Sequence, residues 1–123
     1  MTALWSMKSL SCLSEKGAGF TDLVGCLFSL NDLELEILNA LENGAVMSLD
    51  DLAGIVGRNR TTVFRSIDKL ISLGFIFKII SSLSRGGRIA SYRRTGREEL
   101  KRLIYERKTS ICENFERIIE KIG

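Results

Sequence analysis

The stretch that decides the fold is residues 57–70, Gly-Arg-Asn-Arg-Thr-Thr-Val-Phe-Arg-Ser-Ile-Asp-Lys-Leu. Apolar side chains recur at positions 63, 67, 70 and 71, which is the spacing of one face of a helix. Charged and hydroxyl side chains occupy most of the other positions. Gly57 and Gly74 are residues that typically end helices. The pattern therefore predicts an amphipathic helix that begins near Asn59 and ends at Gly74.

This helix lies in the most basic third of the chain. Between Arg58 and Arg97 there are ten basic residues and a single acid, Asp68, so the window carries a charge of +9. The whole chain of 123 residues has a net charge of only +3, because residues 1–57 hold two lysines against eight acidic side chains. Positive charge concentrated in one region indicates a polyanionic partner for that region.

Three helices are predicted before this stretch. Apolar residues recur at helical spacing over 20–28, 33–41 and 52–56. Asn31 and Glu34 form a capping-box pattern, in which each side chain accepts a hydrogen bond from the backbone of the other. The helix-turn-helix that results would consist of the third helix and the basic helix that follows it.

A β-hairpin is predicted after the basic helix. Residues 75–83 alternate roughly and are rich in β-branched side chains, and residues 89–94 form the return strand. Arg85-Gly86-Gly87-Arg88 is the expected tip, because paired glycines supply the positive φ angles of a tight turn. A further short extended segment is expected at residues 45–47.

A long helix is predicted at the C-terminal end. Thr95 and Glu98 form a second capping-box pattern, after which nothing interrupts a helix as far as Ile122. Apolar residues alternate along it by three and four, interrupted by Lys108, as in a coiled-coil seam. Such a helix is too long to pack only on a small domain, so a second subunit is expected against Leu100, Ile104, Ile111, Phe115, Ile118 and Ile122.

The order of these elements predicts a fold class that is mainly α with a small β-hairpin, namely a winged helix-turn-helix with a long C-terminal dimerisation helix. The predicted domains are an N-terminal arm at 1–19, a DNA-binding domain at 20–94 and the dimerisation helix at 95–123.

The expected partner is double-stranded DNA, because the second helix of a helix-turn-helix fits the major groove. We expect Arg60 and Arg65 to contact bases or to lie close to them. Phosphate contacts are expected from the other polar residues of the helix and from the wing: Arg58, Asn59, Thr61, Thr62, Lys69, Arg85 and Arg88. The arginines could instead be solvated, and Thr61 or Thr62 could cap the helix. Phe64 is expected in the core.

The remaining composition narrows the function. Three isolated cysteines and the absence of histidine argue against a disulfide framework, a structural zinc site or any other metal site, and no cofactor is predicted. Cys26 and Cys112 could act as redox switches, although a small buried apolar role is the simpler interpretation. No secretory signal or membrane-spanning run is evident, so a cytoplasmic protein is expected. The nature of any small-molecule effector stays unknown.

The sequence resembles the TrmB-like winged-helix regulators of archaea. The resemblance is carried by residues 30–36 and 57–70, by the Gly-Gly wing and by Tyr92-Arg93 before the long helix, and it covers about residues 20–123. It implies a homodimeric repressor or activator of transcription. MarR-like and Lrp-like winged helices share much of this pattern. Longer members add a sugar-binding domain, for which this sequence has no room.

Two other functions stay open. An abundant chromatin-type protein would bind DNA with little sequence preference, and a protein-interaction winged helix of a basal transcription assembly would use the same fold without DNA readout. An enzyme is not expected, since no phosphate-binding glycine loop, metal cluster or nucleophile–base pair is visible.

Overall fold

The structure is a computed structural model that describes residues 13–14 and 17–123. The predicted arm at 1–19 therefore lies mostly outside the described residues. Within the described part the elements are α1 (Phe20–Leu27), α2 (Asp32–Ala40), a 3₁₀ turn (Glu42–Gly44), β1 (Val46–Ser48), α3 (Leu49–Val56), α4 (Arg60–Leu73), β2 (Ile76–Ser82), β3 (Arg88–Arg94) and α5 (Arg97–Glu120).

The chain forms two compact units. Asn31–Leu100 makes up the first unit, and the second joins the described residues before Asn31 to Lys101–Gly123. The first unit holds α2 to β3 and the start of α5. It has the helix order and the hairpin of a winged helix, which confirms the predicted fold class.

The sheet of the first unit is antiparallel and has the strand order β1-β3-β2. β2 and β3 form the predicted hairpin, in which Lys78 is opposite Tyr92. On its other side β3 pairs with β1, where Met47 is opposite Tyr92. The short extended segment thus becomes an edge strand that ties the hairpin to the start of α3.

The core of the first unit is built on the apolar stripe of α4. Val63, Ile67 and Leu70 are completely buried, and α4 packs against α2, α3 and β2. Other fully buried apolar side chains of this unit are Ile37, Leu38, Leu41, Leu52 and Phe75. Burial of a full-size apolar side chain stabilises a fold by about 1.5–3 kcal/mol, so this stripe fixes the rotation of α4 about its own axis.

Local caps define the helix starts of this unit. The capping box of α2 is confirmed, since the Glu34 backbone N–H donates to Asn31 Oδ1 at 2.8 Å and the Asn31 N–H donates to Glu34 Oε1 at 2.9 Å. At the start of α4 the Thr62 backbone N–H donates to Asn59 Oδ1 at 2.9 Å. The suggestion that a threonine hydroxyl caps α4 is therefore wrong, because Asn59 is the N-cap.

The second predicted capping box, Thr95 with Glu98, is also wrong. The Thr95 hydroxyl donates to the carbonyl oxygen of Gly74, and its backbone N–H donates to that of Phe75 at 2.8 Å. α5 begins only at Arg97. Both hydrogen bonds of Thr95 join the residue after β3 to the residues after α4. These partners are about 20 residues away in sequence, so local spacing does not predict the contact.

Glu34 joins two helices of the first unit. Its carboxylate is almost completely buried, with 5% of the side chain exposed, and besides the Asn31 N–H it accepts a hydrogen bond from Lys69 Nζ at 3.0 Å. A buried carboxylate needs such partners, because an uncompensated charge is costly to remove from water. The cap of α2 and the middle of α4 are therefore held by one carboxylate.

We expect Glu34→Ala to lower the free energy of unfolding by about 1–3 kcal/mol, because it removes a cap and leaves polar groups unpaired. Urea denaturation followed by circular dichroism measures the change. Glu36→Ala is the matched control, since it removes an exposed glutamate from the same helix and should change the free energy by less than about 0.5 kcal/mol. Equal effects of the two substitutions would contradict the role given to Glu34.

Candidate nucleic-acid interface

α3, the turn at 57–59 and α4 form the helix-turn-helix. Gly57 ends α3 in the left-handed conformation, with φ 69°, which a side chain would strain. Because the apolar stripe of α4 faces the core, its charged residues face solvent, whereas Ser66 is buried with the stripe. The exposed residues of this segment are Arg58, Asn59, Arg60, Thr61, Phe64, Arg65, Asp68 and Lys69, while Thr62 is half-buried.

The first turn of α4 offers backbone N–H groups and hydroxyls to an anion. Two of these backbone N–H groups already have acceptors within the chain. That of Thr62 donates to Asn59 Oδ1, and that of Val63 donates to the Asn59 carbonyl oxygen at 3.1 Å. The first N–H groups of a helix have no partner within the helix, and the helix dipole favours negative charge there. Asn59 thus contributes by capping the helix, and Thr61 remains exposed beside the first N–H groups.

Arg60 forms an ion pair on the surface. Its Nε lies 2.9 Å from Oδ1 of Asp50 in α3, and the two side chains are 68% and 73% exposed. Ion pairs this exposed contribute about 0.2–1 kcal/mol. Arg60 can therefore exchange the carboxylate for a phosphate or a base, at the cost of a weak contact.

Lys69 has a different environment from the one we expected. Its ammonium group donates to the buried carboxylate of Glu34, although 42% of the Lys69 side chain is exposed. Lys69 therefore has a structural role in joining α4 to α2, and its contact with phosphate stays a prediction. The apolar-stripe pattern contained no signal for this pair, because Glu34 lies 35 residues away.

The wing tip has the expected form. Gly86 and Gly87 have φ angles of 90° and 87°, and the Leu83 N–H donates to the Gly87 carbonyl oxygen at 3.1 Å. Arg85 and Arg88 are exposed on either side of the two glycines. Both guanidinium groups are thus on a small turn that a ligand can approach closely.

Arg94, the last residue of β3, is a structural residue. Its Nη1 donates to the carbonyl oxygen of Leu38 at 3.1 Å, which satisfies a backbone acceptor near the end of α2.

Phe64 is the residue of α4 for which the expectation was wrong. Its side chain is 47% exposed, although the neighbouring Val63 is completely buried. It follows Val63 by 100° around the helix, which carries it out of the buried stripe and toward the face that holds Arg60 and Arg65. An aromatic ring therefore lies among the polar groups of this surface.

The residues of the predicted seam on α5 differ in their exposure. Leu100 is buried in the single chain, with 6% exposure, so its assignment to a dimer surface is corrected. Ile104 and Ile111 are half-buried. The rest of the seam is exposed together with Ile119, which the strict heptad pattern missed: Phe115 is 45%, Ile118 53%, Ile119 63% and Ile122 75% exposed.

The second unit also contains an apolar groove. α1 contributes Leu23 and Leu27, and α5 contributes Ile104, Tyr105 and two flanking lysines, Lys101 and Lys108, to a concavity of about 340 Å³. Arg107 holds the end of α1, since its Nε donates to the Leu27 carbonyl oxygen at 2.8 Å and its guanidinium lies 5.7 Å from the ring centre of Phe28.

Two thiols of this unit differ in exposure: Cys26 is half-buried and Cys112 is exposed. Their redox role stays a prediction. In the part of the chain that the structure describes, no cluster of three metal-ligating side chains is present. Over the same residues, none of the helices combines the length and the apolar character needed to cross a bilayer.

The region that contains α4 is similar to a known family of domains. Residues 30–76 match the family model of winged helix-turn-helix DNA-binding domains. The matched region begins before α2 and ends at the start of β2, so it contains the helix-turn-helix but not the wing tip.

Relatives extend the likeness over most of the chain. The uncharacterized protein MJ1503 of Methanocaldococcus jannaschii is 25% identical over 104 residues, which are 84% of this chain and 78% of that protein. A possible transcriptional regulator from Methanosarcina mazei has a TM-score of 0.73 at 18% identity, with 83% of this chain and 87% of that chain covered. BldR, a transcriptional regulator from Sulfolobus solfataricus, has a TM-score of 0.52 at 19% identity over 84% and 70% of the two chains. The solved structures share the winged-helix fold with this chain.

We expect Asp50→Asn to strengthen binding to duplex DNA by up to about fivefold at low salt, the range that corresponds to one exposed ion pair. The substitution frees Arg60 and removes a negative charge beside the start of α4. Fluorescence anisotropy with a labelled duplex measures the affinity. Glu36→Gln makes the same change of charge on an exposed site of α2, and an equal gain from it would show that Asp50 acts only through net charge.

Proposed function

We propose that this protein is a transcriptional regulator that binds specific sequences of double-stranded DNA as a homodimer. In this proposal α4 enters the major groove, and the wing contacts the backbone or the adjacent minor groove. The function is binding rather than catalysis. The resemblance to TrmB-like regulators and the archaeal relatives favour a cytoplasmic archaeal regulator of that type.

The observation that carries the proposal is the position of Arg65. It is exposed on α4, one turn into the helix, while the stripe opposite is completely buried. The major groove is wide enough for a helix with one such face, and a guanidinium can donate two hydrogen bonds to one guanine. Arg60 lies on the preceding turn, where its weak pair with Asp50 leaves it available.

Phosphate contacts would orient the helix in the groove. Arg58 and Thr61 are exposed where the N–H groups of α4 begin, and this end of the helix attracts anions. Arg85 and Arg88 would hold a second stretch of backbone from the wing. Contacts of this kind contribute affinity that depends on salt and carry little sequence information.

Dimerisation is supported by the exposed apolar side chains near the end of α5 and just after it. Phe115, Ile118, Ile119 and Ile122 lie within eight residues, and each is at least 45% exposed. Scattered apolar residues are normal on a surface, but such a concentration on one helix indicates a protein contact. The same stretch in a second copy of the chain is the expected partner, because most soluble oligomers are symmetric homo-oligomers.

We expect Arg65→Ala and Arg85→Ala to weaken DNA binding in different ways. Loss of Arg65 should reduce discrimination between the preferred duplex and its variants by about 1–3 kcal/mol, because a base contact is removed. Loss of Arg85 should weaken all duplexes alike and lower the slope of log affinity against log salt by about one. A salt titration of both variants on a selected and a scrambled duplex measures the two effects.

The same titration distinguishes the alternatives. If the two variants behave equally on every sequence, the chromatin-type function replaces the proposed one. If the parent protein shows no affinity for any duplex and no salt dependence, the protein-interaction function replaces it. Lys101→Ala is the matched control, because it removes an exposed cation from the second unit and should leave discrimination unchanged.

We expect Ile118→Glu to dissociate the dimer, because a charge would be buried in an apolar contact. Sedimentation velocity should then give the mass of one chain, and affinity for a two-fold symmetric duplex should fall at least tenfold. Thr109→Glu places the same charge at an exposed polar site of α5 and should leave the dimer intact. A parent protein that sediments as a single chain at micromolar concentration would contradict the homodimer.

A further inference from the structure

The exposed ring of Phe64 needs an explanation beyond the fold. The fully buried residues of α4, Val63, Ile67 and Leu70, already anchor the helix, whereas Phe64 leaves 47% of its side chain in contact with solvent. A phenylalanine in a helix gives no particular helical propensity in return. The exposed ring therefore contributes less to stability than a buried phenylalanine would, and its apolar surface is available to a partner.

The neighbours of Phe64 decide what kind of partner fits. On an α-helix, residues three and four positions apart are adjacent on the surface, so Phe64 lies next to Arg60, Thr61 and Asp68, and Arg65 follows it directly. All four of these polar residues are exposed. The ring is thus one apolar group set among hydrogen-bonding and charged groups, on the face proposed to enter the major groove.

The major-groove edges of the four base pairs present hydrogen-bond donors and acceptors and one apolar group, the C5-methyl of thymine. A phenyl ring cannot hydrogen-bond to the polar atoms, and placing it over them would remove them from water without replacement. Against a thymine methyl, both partners gain by leaving water. The chemistry of the groove therefore leaves one favourable partner for this ring.

From this we infer that Phe64 is a specificity-determining residue that contacts the methyl group of thymine in the bound duplex, beside the base contact of Arg65. The inference rests on the proposed function, since it requires α4 in the major groove. It assigns a preference for A·T pairs next to the guanine contact, and it explains why an aromatic side chain is exposed on an otherwise polar helix face.

The other exposed phenylalanine of this unit provides a comparison. Phe77 in β2 is 43% exposed, and it lies opposite Arg93 on β3. It belongs to the sheet rather than to α4, so it is not on the face that reads bases. Phe77→Ala is therefore a matched control for Phe64→Ala, since both remove a half-exposed ring from the same unit.

The test replaces single methyl groups of the DNA. A duplex of high affinity is first selected from a random-sequence library with the parent protein, and each thymine is then exchanged singly for uracil, which changes only the methyl group. For the parent protein, exchange of the contacted thymine should weaken binding about three- to fivefold, the loss expected from exposing one methyl group. For Phe64→Ala the same exchange should change affinity less than about twofold, because the partner of the methyl group is already absent.

Phe64→Leu should keep part of the sensitivity to uracil, and Phe77→Ala should keep all of it. The inference is overturned if no uracil exchange affects the parent protein, or if Phe64→Ala weakens every duplex while remaining as sensitive to uracil as the parent. A selection that yields no preferred sequence would instead contradict the proposed function, and the inference would fail with it. Circular dichroism of the Phe64 variants checks that the helix content is unchanged.

Discussion

Burial of one stripe on α4 is the constraint on which the rest of the structure depends. Val63, Ile67 and Leu70 are completely removed from water, and their helix packs against α2, α3 and β2. A turn of α4 about its axis would expose these side chains, at a cost of about 1.5–3 kcal/mol for each. The opposite face is therefore held toward solvent, and its chemistry becomes the chemistry of the proposed site.

The cations of the basic region are not equivalent once the fold is known. Arg65, Arg85 and Arg88 remain exposed, and Arg60 is paired only weakly with Asp50. Lys69 and Arg94 are used inside the unit, where they satisfy a buried carboxylate and a helix carbonyl. Part of the charge of +9 in this window is therefore used in contacts within the fold, and Arg65, Arg85 and Arg88 remain on the surface.

Phe64 and the end of α5 share one physical feature, which is apolar surface that the single chain does not bury. On α4 this surface is one ring among polar groups, a pattern suited to a base edge. At the end of α5 and just after it, this surface is a cluster of large side chains from Phe115 to Ile122, a pattern suited to another protein surface. The two sites therefore fit different partners. The sequence predicted Phe64 in the core and the end of α5 in an apolar seam.

Local rules in the sequence determined the periodicity of the helices and some of their ends. The Asn31–Glu34 box and the glycine at position 57 involve residues at most a few positions apart, so their hydrogen bonds and φ angles could be predicted from spacing alone. The buried stripe of α4, the paired glycines of the wing and the length of α5 followed in the same way from residue type and period.

Tertiary structure alone decided the rest. Glu34 meets Lys69, Thr95 meets Gly74, and β1 pairs with β3, and in each case the partners lie far apart in sequence. It also decided that Phe64 lies outside the core while Leu100 lies within it, because burial depends on which neighbours pack beside a position. Spacing tells which residues share a face of one helix, but only the packed neighbours determine which faces meet water.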